Sequence, residues 1–268
     1  MKTPIATSIS AALIVAAGQA DALPPIWESD LGSQLFELQD SSESERVAVK
    51  LPTPFAFAGE TYDRVFVYVG GKVTLGSDDE LACCPEPSDL LDAEPPVIGP
   101  FWTDLSTEDG GAIFALVEND RLVVTWSDVR SDSNEDQGYA FQAQLLSDGT
   151  IVFGFDRSLP LGDDALNAEL VVGVTDAETP GSEWSFSTQT PFSTSSPTVF
   201  QSFEENETGF PLGDRNVVFT PNGSGGFDVT AERSAPPEPC SPADLAEPFG
   251  ELDIADVTAF LEIFGEGC

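Results

Sequence analysis

The chain alternates short runs of β-branched and aromatic residues with glycine-rich or acidic turns, and helical periodicity is confined to its end. Val47 and Val49 alternate with polar neighbours, the period-2 pattern of a strand with one buried face. Residues 55–76 continue in the same way, with apolar positions on both sides of Gly70-Gly71, a hairpin signal. Residues 77–94 are polar and acidic and read as a long loop. Pro95 to Leu105 then places Val97, Ile98, Phe101 and Trp102 among three prolines. Proline fixes φ and removes a donor, so this stretch is extended, with Phe101 and Trp102 as core anchors.

Beyond the Gly110-Gly111 turn, Ala112 to Val117 and Arg121 to Trp126 read as paired strands, and residues 127–138 as a second acidic loop. Tyr139 to Leu146 and Thr150 to Phe155 flank Asp148-Gly149, a favoured hairpin pair. Leu170 to Thr175, Glu183 to Ser187, Val199 to Phe203, Asn216 to Thr220 and Gly226 to Thr230 are further short strands. Many short strands with turn signals between them predict a mainly β chain, an antiparallel β-sandwich or a barrel-like variant.

Both ends differ from this body. Lys2 precedes the apolar run Ile9 to Ala17, too short to span a bilayer. Small residues offer cleavage after Ala20 or Ala22, and a signal peptide over 1–22 is the expectation. The body then covers 23–233, followed by a proline-rich linker over 234–239. In the last segment, 240–268, Val257, Phe260, Leu261 and Phe264 have helical spacing. So short a segment cannot build a sufficient core alone, and Cys240 and Cys268 bracket it as a candidate disulfide. Cys83 and Cys84 are left as a vicinal bond or a free pair.

Charge narrows the function. Ten basic against 47 acidic residues give 10 − 47 = −37, and there is no histidine. Such a surface repels phosphate backbones, which excludes nucleic acid as a partner. Without histidine there is no Ser-His-Asp or Cys-His system and no His-ligated zinc. The 47 acids make chance carboxylate pairs uninformative, and the chain is expected not to be an enzyme. Calcium is the one cofactor left open. Asp132, Asn134 and Asp136 have the alternate spacing of a calcium-loop start, although Gln137 and Ala143 stand where glycine and a carboxylate are needed. Asp78-Asp79-Glu80 and Asp163-Asp164 are further acidic clusters, read as solvated loops.

Three passages resemble the NIDO domain of nidogen-type and mucin-type proteins. They are Phe55-x-Phe57-x-Gly59-x-x-Tyr62 through Val69-Gly70-Gly71-x-Val73-x-Leu75-Gly76, then Val97-Ile98-Gly99-Pro100-Phe101-Trp102-x-Asp104, then Phe141-Gln142-x-Gln144-Leu145 through Asp148-Gly149-x-Ile151-x-Phe153-x-Phe155. The resemblance covers about residues 45–175, with Gly70-Gly71 standing where the family usually has Asn-Gly. It implies an extracellular β-rich module linked with adhesion or matrix assembly, and no catalytic residues. The segment Pro242 to Leu261 looks like half of a dockerin-type, EF-hand-like repeat. Ala246 and Pro248 replace two ligand positions, leaving Asp244, Asp253 and Asp256 as candidate calcium ligands.

The resulting expectation is a secreted, non-enzymatic binding or adhesion protein at the cell surface or in extracellular matrix. Its partner would be an extracellular protein or glycan, with no membrane span. The oligomeric state is left open. Two alternatives stand beside it: an accessory or enzyme of a polysaccharide-processing assembly docked through its tail, and a salt-stabilised envelope structural protein.

Overall fold

The computed structural model describes residues 27–36, 45–79, 87–108, 110–131, 134–156, 170–203 and 210–233, with backbone alone for 134–137 and 233. Its elements in chain order begin with β1 (Ser33–Gln34), β2 (Arg46–Phe57), β3 (Glu60–Tyr68), β4 (Val73–Leu75), helix α1 (Pro87–Leu91), β5 (Val97–Trp102), β6 (Leu105–Ser106), β7 (Ala112–Val117) and β8 (Arg121–Ser131). They continue with β9 (Asn134–Leu146), β10 (Ile151–Phe155), β11 (Leu170–Thr175), β12 (Ser182–Glu183), β13 (Phe192–Ser193), β14 (Val199–Phe203), β15 (Arg215–Pro221) and β16 (Phe227–Arg233). Two sheets form. One runs β1-β7-β8-β9-β10-β15-β16-β13, with β6 also paired to β8, and the other runs β12-β14-β11-β5-β4-β3-β2. Every pair among the described residues is antiparallel except β12 beside β14. The architecture is the expected antiparallel sandwich.

The main core lies between the sheets. Val65, Val67, Ile98, Phe101, Trp126, Phe141, Phe153, Phe219 and Val229 belong to one contiguous apolar cluster. Aromatic side chains dominate its centre: Phe101 stacks on Phe141 at 5.0 Å between ring centroids, and Phe141 on Trp126 at 4.9 Å.

β5 explains why the Pro95 to Leu105 stretch is so apolar, because the strand is buried on both faces. A second cluster joins Val97 and Trp102 to Leu90 and Ala93 of the α1 segment and to Val171 and Phe200. Between the pairs Gly99↔Gly173 and Trp102↔Val171, β5 has one residue more than β11. That bulge, beside Pro100, breaks the period-2 alternation. Ile98 and Phe101 therefore both join the inter-sheet core, while Val97 and Trp102 join the outer cluster.

Three details differ from the sequence reading. The 77–94 loop contains α1, whose Leu90 is buried. The acidic loop at 127–138 is instead the continuation of β8 and β9, with Ser131 paired to Asn134. Of the strand expected at Glu183 to Ser187 only Glu183 is extended, at the end of β12, and the chain then turns, with Gln189 N–H donating to the Ser185 carbonyl. The disulfide-closed helical tail expected at 240–268 lies outside the described residues, as do the signal segment and the linker.

Candidate ligand-binding cleft

Five connections meet at one end of the sandwich. They are the β2–β3 turn, the β9–β10 turn, the segment after β11, the segment between β13 and β14, and the β15–β16 turn. Together they line a cleft of about 450 Å³.

Local chemistry shapes each wall. Ala58 and Gly59 both have positive φ, 51° and 88°, between the paired residues Phe57 and Glu60. Two such residues make a type I′ turn, which matches the strand twist. Gly149 has φ 91°, and a Cβ there would lie 2.8 Å from the Ala56 carbonyl and 3.0 Å from Pro221. A side chain would push the β2–β3, β9–β10 and β15–β16 turns apart. Asn222 accepts from the Ser224 amide and hydroxyl and donates to the Thr194 carbonyl at 3.0 Å, which ties two of the walls together. The floor is apolar, with Phe57 and Phe227 at 6.1 Å between centroids and Pro197 buried beside them.

The rim is acidic. Asp148 is exposed, with one carboxylate oxygen accepting from the Thr150 amide at 2.8 Å. Asp176 is half-buried. Burial works to raise its pKa, but donation from the Thr179 hydroxyl and amide, the Glu178 amide and Thr198 outweighs it and holds the carboxyl below the ordinary range. Ser195 adds an exposed hydroxyl. None of the described residues lining the cleft is lysine or arginine. The arrangement suits a neutral or cationic ligand that brings hydrogen-bond donors over an apolar floor.

The residues singled out from sequence lie elsewhere. Phe101 and Trp102 are fully buried and serve packing. Asn134 and Asp136 fall in β9, with backbone alone described, and Asp132 lies outside the described residues. Cys83, Cys84, Cys240, Asp244, Asp253, Asp256 and Cys268 also lie outside them. Asp78 and Asp79 do not converge on a cation site: Asp78 pairs with Arg46 at 2.6 Å and Asp79 with Lys72 at 2.8 Å. Among the described residues, no group of three acidic or cysteine side chains is placed to hold a metal ion. The cleft itself was not foreseen. Its Asp148-Gly149 and Asn222 to Gly226 signals are local, whereas their convergence depends on sheet order.

No helix among the described residues is long and apolar enough to cross a membrane. No curated protein and no solved structure matches the chain. The NIDO-related family profile matches residues 20–221, extending the resemblance at 45–175 in both directions across both sheets. That match covers most of the sequence, and the chain belongs to the NIDO-related family.

Proposed function

We propose that this chain is a secreted, non-enzymatic binding protein that acts at the cell surface or in extracellular matrix through the cleft at the end of its sandwich. The observation that carries the reading is the meeting of five loops on a rigid two-sheet scaffold, the arrangement by which β-sandwiches present binding surfaces. Membership of the NIDO-related family supports an extracellular role. The acid rim and the net charge of −37 favour a neutral glycan or a basic protein segment and oppose an anionic one. The absence of histidine supports binding rather than catalysis.

The test is retention of neutral glycans, basic peptides and sulfated glycans on immobilised protein, compared with Ser195→Trp, which fills the cleft from its exposed rim. Retention of a neutral or basic ligand, lost in the variant, is expected. Equal retention by both proteins, or selective retention of the sulfated glycans, would overturn the assignment.

A further inference from the structure

Lys72 is 1% exposed and Asp79 6%. The Lys72 Nζ lies 2.8 Å from Asp79 Oδ1. Two rings wall the nitrogen, with centroids at 4.7 Å for Tyr68 and 4.4 Å for Trp102. Tyr68 also fixes the partner. Its hydroxyl accepts from the Asp79 amide at 2.7 Å and donates to the Asp79 carbonyl at 3.1 Å. The second carboxylate oxygen, Asp79 Oδ2, is buried and accepts no hydrogen bond from the described residues.

A separated charge pair is costly in such a place, the more so with one oxygen unsatisfied. Burial pushes the Lys72 ammonium down, against the charges of Asp79 and of Asp89 on α1, which favour it. Moving one proton across the 2.8 Å contact gives a neutral amine beside a neutral carboxylic acid. Those are the reactants of an amide, held in contact in a site from which water is excluded. Holding the two groups in contact removes the entropy cost of bringing them together.

We propose that Lys72 and Asp79 condense into an intramolecular amide between Nζ and Cγ, closing a covalent loop around β4. The ammonium passes one proton to the carboxylate. The amine then attacks Cγ, so that the N–C bond forms and a C–OH bond breaks. A second nitrogen proton joins the departing hydroxyl, and one water leaves. Nothing is oxidised or reduced, and no co-reactant is required. The link replaces a buried ion pair with a neutral group. It fixes Asp79 to Lys72 beside the ring of Trp102, which also packs against Leu90 of α1.

Tryptic mapping of the denatured full chain tests this. A linked Lys72 is not a trypsin site. The expected product is one peptide running from Val65 to Arg121, lighter than its sequence by one water, with fragmentation placing the bond at Lys72 and Asp79. Asp79→Ala restores cleavage after Lys72. Cleavage after Lys72 in the wild-type protein, giving Val65–Lys72 and Val73–Arg121, overturns the proposal even if the variant fails to fold. Asp109-Gly110 in the same peptide can lose water by cyclising, but that leaves the Lys72 cut intact, so water loss with cleavage also overturns it.

Discussion

Trp126 donates its indole N–H to the backbone carbonyl of Tyr68 at 2.9 Å. The donor belongs to β8 in one sheet and the acceptor to β3 in the other, so this hydrogen bond fastens the two layers through the middle of the core. Both residues are fully buried. Trp126→Phe keeps an aromatic ring against Phe141 and removes the donor. The expected loss is about 1–3 kcal/mol for the orphaned carbonyl, with a small cavity term added. It should appear in urea unfolding as a lower midpoint at unchanged slope. A loss under about 0.5 kcal/mol would show that the carbonyl finds another partner at no cost.

Trp102 works on the opposite face of the seven-stranded sheet. It packs with Leu90, Ala93, Val97, Val171 and Phe200 and walls one side of Lys72. Trp102→Ala is expected to cost about 3–5 kcal/mol, because it opens a cavity under α1 and removes that wall. A melt that shifts by less than the equivalent of about 1 kcal/mol would mean that α1 collapses into the space.

These two residues show how far the sequence was legible. Density of large apolar side chains marked Trp102 as buried, and that needs no partner to be known. Which face it occupies depends on the β5 bulge, visible only once β11 is paired beside β5. Turn chemistry was readable where residue types are diagnostic: Gly70-Gly71 and Asp148-Gly149 sit where two antiparallel strands reverse. The Ala58-Gly59 turn was missed because alanine at φ 51° carries no signal. The strands through 127–138 were masked by charge, since Asp128 and Arg130 in β8 and Glu135 and Asp136 in β9 interrupt the apolar pattern of the sequence. The cleft was invisible because its residues span Ala56 to Phe227, brought together by a strand order in which β11 sits between β14 and β5.

Gly71 and Gly59 separate backbone strain from collision. Both have positive φ, 78° and 88°. A Cβ at Gly59 meets nothing within 4 Å, so Gly59→Ala should cost only the left-handed penalty of about 1–2 kcal/mol. A Cβ at Gly71 would stand 1.9 Å from the Phe101 carbonyl oxygen, in backbone that cannot swing away. Gly71→Ala must displace β5 from the β3–β4 hairpin. It is expected to cost several times more than Gly59→Ala, or to give no folded protein in the same expression trial. Equal midpoints for the two variants would refute the close approach.

Asp176 sets an acid limit on the cleft. Its carboxyl is held below the ordinary range, so it favours the folded state most where it is ionised. That contribution is present in full above the unfolded value of about 4 and fades as pH falls through the lower folded value. Asp176→Asn cannot titrate. It should be less stable than the wild-type protein at neutral pH, and the two should converge as the solution is acidified. Parallel stability curves from pH 7 to the acid transition would show that this carboxylate is not linked to folding.

Tyr139 sets the alkaline limit. Its ring is fully buried, and burial pushes the phenol up to about 12. The unfolded chain releases the same proton near pH 10. Below that value both states hold the proton and the group has no pH effect. Above it the unfolded state gains by ionising while the folded state does not. Stability is therefore lost as pH rises from about 10 towards 12, by roughly 2–3 kcal/mol for this group. Tyr139→Phe removes that share of the decline, and ultraviolet difference absorption should show Tyr139 ionising only as the far-ultraviolet signal of the sheets collapses. Tyr68 is also raised to about 12, but its hydroxyl exchanges hydrogen bonds with the Asp79 backbone, so its ionisation is tied to that contact. Tyr139 is thus the cleaner probe, and a phenolate signal from it below pH 11 in the still-folded chain would mean that water reaches the ring.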